Sequence, residues 1–536
     1  MPLRVGGKEA IFCLDFAREK FDYIPYEATI PGILYRKRSS DRDEFVFESE
    51  NVSFTPEKIK NEVEKFAAGL LSAGLKTDDK ILICGNNHSQ LVIAVLGASR
   101  AGVIFSIASP NFANTDQLGH FLQIGQFNGF VYFGDSDKAY QMLLSVSSEI
   151  KKGEKGKLKL KTFPKLTHII FADEDHKHGE QIAKLPKYEQ WDCHKVCAIQ
   201  FTSGSTGPPK AVALSHYQLI NGSRIASSTI GIKRDTILCC ALPLFRIPVF
   251  SLVIFSPFLF ESKVVFPDPS PLPKLLFDSI KKHKCTNILS NAAALRLLLR
   301  TQPLTQQKQK SSSNSTTTLP SVDTVVLLGE RVSSDLLISI EGMLPNAKKI
   351  AVGMLSTELG SIPLLSDNTT NLVKSVGKVL KGYEVDVTKI DNLASNGNLI
   401  GELRLKPLSK TTFLGYGPNF VRIEEEWVST GDVVCIQQDG NVEIITQHRE
   451  DLIFDKIGRL VEHWRIERLI AQMSQQIRGI SIVQTTHGGP LTAVVVPKKE
   501  NSSINIGEFK KEMKIQVHTE RDKNLFRAEG EKKMLS

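Results

Sequence analysis

A strand–helix–strand pattern over residues 80–108 constrains the fold of this chain more than any other feature. Lys80–Cys84 is a short apolar run, Leu91–Gly102 has the pattern of a buried helix closed by a glycine, and Val103–Ala108 is a second apolar run. Two strands joined by a helix pair in parallel, because the chain must cross over to return to the same edge. The pattern therefore predicts an α/β fold with a parallel sheet.

The rest of the chain divides into three further stretches. A second α/β unit runs from about residue 200 to 375, interrupted by a polar tract at 306–318 that has nothing to bury and is predicted to be disordered. After residue 377 short strand patterns follow without long helices, which favours a small β-barrel. We expect a large N-terminal domain over 1–449, with two parallel-sheet subdomains and the barrel, and a smaller, shortened α+β C-terminal domain over 450–536.

Residues 201–210 read Phe-Thr-Ser-Gly-Ser-Thr-Gly-Pro-Pro-Lys and predict a phosphate-binding loop. Hydroxyl side chains alternate with glycines that let the backbone turn, so consecutive N–H groups can converge on an anion. Apolar strand patterns flank the loop on both sides. The candidate ligands are Thr202, Ser203, Gly204, Ser205, Thr206, Gly207 and the cation Lys210. A Walker A loop is excluded, because Ala211 stands where that motif needs a Ser or Thr after the lysine.

Composition supports a globular protein and excludes few functions. The 536 residues are 41% hydrophobic and 23% charged, with a modest net charge of +9 in short runs that lack interleaved aromatics. Nucleic-acid binding is not indicated. The eight cysteines form no metal frame and are expected to be buried thiols. Val249–Phe260 is the longest apolar run, shorter than the roughly 20 residues of a membrane span, and no secretion signal is evident.

The loop resembles the phosphate-binding signature of the adenylate-forming superfamily, which includes acyl-CoA synthetases, firefly luciferase and the adenylation domains of nonribosomal peptide synthetases. Its continuation, Leu214-Ser-His-Tyr217, is most similar to the medium-chain acyl-CoA ligases of the acyl-CoA synthetase family member two type. Further segments resemble family motifs, so that the resemblance extends to about residue 470; they lie at 99–111, 375–380, 401–405 and 414–416.

The resemblance implies roles for two downstream motifs. Glu358, in Gly353-Met-Leu-Ser-Thr-Glu-Leu-Gly360, matches the family's magnesium-binding glutamate, and Thr357 would contact phosphate. Asp432, in Ser429-Thr-Gly-Asp432, matches the aspartate that accepts both ribose hydroxyls. A Thr-Glu pair alone is more typical of a surface or a helix start, and a Thr-Gly-Asp sequence can be an ordinary turn. Their order after the loop favours the functional interpretation.

Several positions depart from the family pattern. Arg246 replaces a histidine at the expected mouth of the acyl pocket, and Val249 stands where glycine is usual. Met354 occupies the position of the aromatic residue that stacks on adenine, with Leu355 at the following glycine. Arg449 is the nearest candidate for the arginine that contacts ribose and phosphate, one or two places out of register.

The family's C-terminal lysine has no clear counterpart. That lysine reaches the α-phosphate and the carboxylate during adenylation, and neither Lys532 nor Lys533 carries its surrounding pattern. The glycine pair near Gly458 is also disrupted.

The resemblance implies an ATP-dependent acyl-CoA synthetase, a fatty acid:CoA ligase acting through an acyl-adenylate. It would be an AMP-forming acid–thiol ligase with degenerate motifs, with Lys210 and Glu358 catalytic, and with ATP, Mg²⁺ and coenzyme A as cofactors. Its partner would be a fatty acid or another carboxylate. The alternatives are an ATP- or acyl-binding pseudoenzyme of the same fold, an aberrant or truncated product of an active gene, and an amino-acid adenylation domain. An intracellular place is expected, mitochondrial or cytoplasmic; acyl chain length and oligomeric state stay open.

Overall fold

The structure of the chain is a computed structural model. It describes residues 24–38, 41–111, 115–150, 158–172, 185–202, 208–270, 272–299, 318–389, 398–407, 414–420, 427–447, 451–454, 457, 460–461, 463, 466–467, 470, 477–484, 489 and 491–497. The contacts divide the chain into two compact units. Unit 1 comprises Met1–Val385 and Leu405–Val428, and unit 2 comprises Asp386–Arg404 and Ser429–Ser536. The predicted boundary at residues 449 and 450 stays a prediction.

The helices with defined bounds lie in unit 1. They are α1 (Ile30–Leu34), α2 (Pro56–Ser72), α3 (Ser89–Ala101), α4 (Thr115–Gly125), α5 (Ser136–Val146), α6 (His216–Ile230), α7 (Ile247–Phe260), α8 (Pro273–His283) and α9 (Ser334–Met343). None of them, in the described part of the chain, has the length and apolar content of a membrane span. The apolar run Val249–Phe260 lies in α7, whose residues 247–258 are all buried.

Two mixed sheets organise unit 1. The six-stranded sheet has the order β6-β5-β3-β4-β7-β8. Its strands are β3 (Lys80–Cys84), β4 (Ile104–Ala108), β5 (Gly129–Phe133), β6 (His168–Ala172), β7 (Val196–Phe201) and β8 (Ala211–Ser215). All neighbours pair in parallel except β7 and β8, which pair antiparallel. The predicted parallel arrangement of β3 and β4 is confirmed.

The second sheet has nine strands in the order β15-β14-β13-β12-β11-β9-β10-β1-β2. They are β1 (Phe45–Phe47), β2 (Val52–Phe54), β9 (Ile237–Cys240), β10 (Lys263–Phe266), β11 (Asn287–Ser290), β12 (Thr324–Leu328), β13 (Lys349–Ser356), β14 (Ser361–Leu365) and β15 (Lys378–Val379). Strands β1 and β9–β13 pair in parallel, and β2, β14 and β15 pair antiparallel.

The division of the α/β units differs in detail from the sequence-based prediction. The second unit was expected to begin near residue 200, but β7 and β8 belong to the six-stranded sheet. The nine-stranded sheet also takes β1 and β2 from the first part of the chain, because Phe45 pairs with Val264. The sequence of a short apolar strand carries little information on which strand it pairs with. The assignment of β1, β2, β7 and β8 to their sheets is therefore visible only in the folded structure. The predicted tract at 306–318 lies, up to residue 317, outside the described residues.

Local signals account for the helix ends. The Thr55 hydroxyl accepts a hydrogen bond from the Lys58 N–H (3.2 Å), so Thr55 is the N-cap of α2. Gly102 ends α3 with φ of 74°. Ser215 and Gln218 form a capping box at the start of α6. These capping residues determine where α2 and α6 begin and where α3 ends.

The remaining strands form two smaller sheets. One has the order β16-β17-β18-β19, with β16 (Tyr383–Lys389), β17 (Leu399–Pro407), β18 (Val428–Ile436) and β19 (Val442–Thr446); the other pairs β20 (Ile477–Gln484) with β21 (Leu491–Pro497). Short strands after residue 377 were expected and are confirmed, whereas their closure into a barrel stays a prediction. In the described part of the chain seven cysteines are free and buried, as predicted.

Candidate nucleotide site

The predicted phosphate loop connects the two strands of the β7–β8 hairpin. Phe201 pairs with Ala211 at the end of the hairpin where the loop begins. The Thr202 N–H donates to the Lys210 carbonyl (3.0 Å), and the Lys210 N–H donates to the Thr202 hydroxyl (3.0 Å). These two bonds close the stem of the loop. Its remaining candidates, Ser203, Gly204, Ser205, Thr206 and Gly207, lie outside the described residues.

Helix α4 holds both ends of this loop. The Nε2 atom of His120 lies 2.8 Å from the Pro209 carbonyl oxygen. The next residue, Phe121, stacks on Phe201 with a centroid separation of 3.7 Å. Consecutive residues of one helix therefore fix the strand that enters the loop and the segment that leaves it.

Lys210, Tyr416 and Glu358 form a contiguous cluster beside the loop stem, which we call the acid–tyrosine–lysine cluster. The Lys210 ammonium lies 5.1 Å from the centroid of the Tyr416 ring. The Tyr416 hydroxyl donates to Oε1 of Glu358 (3.2 Å). A tyrosine thus connects the two residues that the sequence assigns to phosphate and to metal.

Tyr416 reaches the cluster because residues 414–417 run along β8. The Ala213 N–H donates to the Gly415 carbonyl (3.0 Å), and the Leu414 N–H donates to the Ala213 carbonyl (2.9 Å). The Gly417 N–H donates to Ala211 (2.8 Å). The segment lies on the strand that leaves the phosphate loop, so its position is tied to the loop.

Glu358 sits in the tight turn between β13 and β14. The Gly360 N–H donates to the Thr357 carbonyl (3.0 Å), and the φ of Gly360 is +58°. A Cβ at Gly360 would lie 2.6 Å from Cδ2 of Leu219, so both conformation and space favour glycine there. The Ser251 hydroxyl donates to the Gly360 carbonyl (3.1 Å). Helices α6 and α7 thereby set the position of the turn.

The surroundings of Glu358 suit a carboxylate that receives a cation. Burial raises the pKa of Glu358, and the Tyr416 hydroxyl and the Lys210 charge partly counter that shift. Mg²⁺ is commonly held by one or two carboxylates together with substrate phosphates and water. One partly buried carboxylate beside a phosphate loop fits that donor set, so Glu358 would hold the ion, which would neutralise phosphate charge.

The predicted ribose-binding turn lies in unit 2, at the start of β18. The Thr430 hydroxyl donates to the Leu403 carbonyl (3.0 Å) and accepts from the Asp432 N–H (3.2 Å). Gly431 between them has φ of +77°. The Ser429 hydroxyl contacts Glu402. The turn therefore holds the Asp432 backbone firmly, while the ribose role of its carboxylate stays a prediction.

A tight turn at Asp439 and Gly440 joins β18 to β19. Gly440 has φ of +83° there, a conformation that favours glycine. The Asp439 carboxylate accepts from the Asn441 N–H (3.0 Å) and from its Nδ2 (2.7 Å). Arg449, the candidate ribose arginine, lies outside the described residues, as do Gly458, Lys532 and Lys533.

The two residues that depart from the family pattern at the expected acyl pocket lie at the start of α7. Arg246 is the N-cap of α7 and its side chain is exposed, whereas Val249 is fully buried in the first turn. The Asn87 side chain holds the preceding segment by donating to the Leu242 carbonyl (2.8 Å) and accepting from the Leu244 N–H (2.8 Å). This segment is thus a fixed part of unit 1.

Gln200 joins that segment to the phosphate hairpin. Its Nε2 donates to the Ile107 carbonyl (2.9 Å) and to the Phe245 carbonyl (2.9 Å). The side chain is 5% exposed, and its Oε1 atom has no hydrogen-bond partner in the described structure. At the expected adenine position, Met354 and Leu355 are half-buried in β13.

Three residues of this region were not predicted as site residues. Tyr416 belongs to a segment that resembled a family motif, but nothing in the sequence assigned it a contact. Gln200 is a polar residue within a buried strand, which is a usable signal. His120 has no such signal in the sequence, because its contact with Pro209 depends on how α4 packs.

These features define a class of protein. A hydroxyl- and glycine-rich hairpin loop, a partly buried carboxylate beside its stem and two α/β sheets are features of the adenylate-forming fold. The model of the AMP-binding enzyme family matches residues 35–416, and the chain belongs to that family. Among curated relatives, medium-chain acyl-CoA ligase ACSF2, mitochondrial, of Bos taurus is 24% identical over 459 residues, covering 78% of this chain and 70% of the relative.

Solved structures share the fold. The anthranilate CoA ligase AuaEII in complex with anthranoyl-AMP matches with a TM-score of 0.74 at 17% identity, covering 92% of both chains. ATP-bound MatB from Rhodopseudomonas palustris matches with a TM-score of 0.73 at 18% identity, again over 92% of both chains. These similarities establish the adenylate-forming fold that the sequence predicts.

Proposed function

We propose that the chain is an ATP-dependent acyl-CoA synthetase that activates a carboxylic acid through an acyl-adenylate. The observation that carries the proposal is the acid–tyrosine–lysine cluster at the stem of the phosphate loop, in which Tyr416 contacts both Lys210 and Glu358. Family membership and the acyl-CoA ligase names of the curated relatives support it.

The chain's own residues divide the work of binding ATP. Thr202, Lys210 and the loop between them hold the β- and γ-phosphates, since converging N–H groups and one cation suit that charge. Glu358 holds Mg²⁺. Asp432 accepts hydrogen bonds from the ribose hydroxyls, because an ionised carboxylate is an acceptor only. Thr357, in the same turn as Glu358, contacts phosphate, and Arg449 contacts ribose and phosphate.

The reaction has two steps. A carboxylate oxygen of the acid attacks the α-phosphorus of ATP, and pyrophosphate leaves to give the acyl-adenylate. The thiol of coenzyme A then attacks the acyl carbonyl carbon, losing its proton, and AMP leaves to give the thioester. The protein contributes mainly by positioning the reactants and by neutralising charge.

The substrate is a fatty acid or another carboxylate with an apolar body. Helix α7 is apolar except for Ser251 and Ser256, and we place one wall of the acyl site along residues 248–260. The relatives' names specify medium-chain acids and mitochondria. For this chain we propose an intracellular place, mitochondrial or cytoplasmic, without choosing between them.

The test is ATP–pyrophosphate exchange by the full chain with a panel of short, medium and long carboxylic acids. A parallel calorimetric titration measures ATP binding with and without Mg²⁺. We expect exchange above background for at least one acid, Mg²⁺-dependent ATP binding, and thioester formation when coenzyme A is added.

Two outcomes would contradict the proposal in different ways. ATP binding without exchange for any acid would leave a binding pseudoenzyme of the same fold. Absence of ATP binding by a folded protein would refute the assignment of the phosphate loop itself.

A further inference from the structure

Three side chains of the kinds that bind zinc meet outside the nucleotide site. The ligand atoms of Glu27, Cys193 and His194 all lie within 4.8 Å of one another. The Cys193 thiol donates to Oε2 of Glu27 (3.2 Å), and Nε2 of His194 lies 3.3 Å from the same oxygen. One sulfur, one nitrogen and one oxygen therefore converge on one small volume.

The separations suit a single tetrahedral ion. Zn–S bonds of about 2.3 Å and Zn–N or Zn–O bonds of about 2.0 to 2.2 Å place neighbouring ligand atoms roughly 3.3 to 3.6 Å apart. The two distances to the Glu27 oxygen, 3.2 and 3.3 Å, are already close to that range. Small side-chain adjustments would bring the three atoms around one cation.

Helix α6 fixes the segment that carries Glu27. The Tyr26 N–H donates to Oδ1 of Asn221 (2.8 Å), and Nδ2 of Asn221 donates back to the Tyr26 carbonyl (3.1 Å). The Ile30 N–H donates to Nδ1 of His216 (3.1 Å), whose neutral form is favoured because burial lowers its pKa to about 3. Glu27 is thus held between two anchor points.

The same helix fixes the other two side chains. The Tyr217 N–H donates to the Cys193 carbonyl (2.9 Å), and the Tyr217 ring lies 4.6 Å from the His194 ring. The Asp192 carboxylate accepts from the His194 N–H (2.9 Å) and so shapes the turn. The backbone segments that carry the three side chains are consequently anchored to the first turns of α6, which limits the reorganisation that metal binding would require.

We propose that Glu27, Cys193 and His194 bind one zinc-type divalent cation, with water as the fourth ligand. A thiolate and an imidazole select zinc and similar transition metals, whereas Mg²⁺ prefers oxygen ligands at octahedral geometry. The site is therefore chemically distinct from the Mg²⁺ position at Glu358. The Cys193 thiol, which now donates to Glu27, would release its proton when the cation binds.

The position in the fold assigns the cation a structural role. Cys193 and His194 precede β7 at the base of the hairpin, where Val196 pairs with Ser215, while the phosphate loop lies at the opposite end. Six strand residues separate the two ends, a distance of about 20 Å. The cation would fasten the segment around Glu27 to the base of the hairpin without contacting the nucleotide.

The experiment uses the full chain, stripped of metal with a chelator and titrated with Co²⁺, whose absorption reports ligand type and geometry. We expect one equivalent to produce a thiolate-to-metal charge-transfer band with tetrahedral ligand-field bands, and Zn²⁺ to displace it. Zn²⁺ should also raise the Tm of the stripped protein. Wild-type protein without the charge-transfer band would overturn the proposal, irrespective of any variant.

Variants localise the site. Cys193→Ser should abolish the charge-transfer band, and His194→Gln and Glu27→Gln should each weaken Zn²⁺ binding by at least about tenfold. Cys435→Ser and Glu189→Gln are controls, a buried cysteine and an exposed glutamate elsewhere, and should bind as wild type does. Circular dichroism confirms that each variant is folded. Unchanged Zn²⁺ affinity in folded Cys193→Ser and His194→Gln would refute the assignment. The outcome is independent of acyl-CoA synthetase activity.

Discussion

The acid–tyrosine–lysine cluster and the turn that carries Asp432 are built in opposite ways. In the cluster, the hydrogen bond from Tyr416 to Glu358 joins residues 58 positions apart, and Lys210 comes from a third segment. In the turn, Thr430 bonds the Asp432 N–H two residues away and one neighbouring strand at Leu403. The cluster depends on the packing of α6, α7 and β8, whereas the turn depends only on its own strand and on the neighbouring strand of the same sheet.

The difference shows why the two carboxylates need different support from the fold. A carboxylate that must be partly buried beside an anion site needs partners from several elements to offset its loss of hydration. A carboxylate that accepts hydrogen bonds from a ribose needs only an exposed, well-oriented turn. We therefore expect substitutions in the cluster to affect chemistry, and substitutions in the turn to affect nucleotide affinity.

The largest effect is expected for Glu358→Gln. Removing the charge that would hold the cation should lower the exchange rate by about a hundred- to a thousandfold, because charge stabilisation of the reacting phosphate is lost. ATP–pyrophosphate exchange at saturating ATP measures it. Glu341→Gln, an exposed glutamate on α9, is the matched control and should leave the rate unchanged. A loss of less than tenfold would contradict the metal role of Glu358.

Asp432→Asn should act on affinity more than on rate. The amide keeps one acceptor oxygen but loses the charge, and charge-assisted hydrogen bonds are worth about 1.5 to 3 kcal/mol, so ATP should bind about ten- to a hundredfold more weakly. Calorimetric ATP titration measures the change. Asp439→Asn, in the next hairpin turn of the same sheet, should retain wild-type affinity. If Asp432→Asn lowers the exchange rate and leaves ATP affinity intact, the turn does not act on nucleotide affinity and the contrast with the cluster is wrong.

The sequence predicted the local turn more completely than the cluster. Thr430, Gly431 and Asp432 act within three residues, so their motif identifies the geometry as well as the residue. For the cluster, the sequence identified Lys210 and Glu358 by resemblance but left Tyr416 without a role, since a hydroxyl contact over 58 positions has no local signal.

The same physical reason governs the fold. The ends of α2 and α3 were predictable because Thr55 and Gly102 act within one turn of their own helix. The placement of β1 in the nine-stranded sheet was not, because Phe45 pairs with Val264, more than two hundred positions away. Local sequence patterns predict the helices and strands, whereas the order of the strands within each sheet follows from tertiary packing.

Two glycines allow the local conformational constraint to be measured apart from the constraint imposed by long-range packing. Gly360 and Gly431 have similar positive φ values, +58° and +77°. A Cβ at Gly360 would lie 2.6 Å from Leu219, whereas at Gly431 the nearest atom, the Gln447 carbonyl oxygen, is 3.8 Å away. Gly431→Ala should lower the free energy of unfolding by about 1 to 2 kcal/mol through conformation alone.

Gly360→Ala should cost about 1 kcal/mol more, because the added methyl group also overlaps Leu219. Urea unfolding of both variants measures the difference. Equal losses would mean that the turn of Glu358 can shift away from α6, and that the long-range packing assigned to the cluster is not a constraint.

Tyr416→Phe is the mildest and most specific test of the cluster. Phenylalanine keeps the ring beside the Lys210 ammonium and removes only the hydroxyl that donates to Glu358. That hydrogen bond lowers the pKa of Glu358, so its loss should raise a pKa that burial has already raised. The cation needs the ionised carboxylate, and the acid limb of the pH–rate profile should therefore move to higher pH, with the plateau rate falling only about two- to tenfold. Tyr383→Phe is the control, a buried tyrosine whose hydroxyl interacts with Ser361, and it should leave the profile in place. A shift to lower pH, or identical profiles for the two variants, would show that Tyr416 does not set the protonation of Glu358.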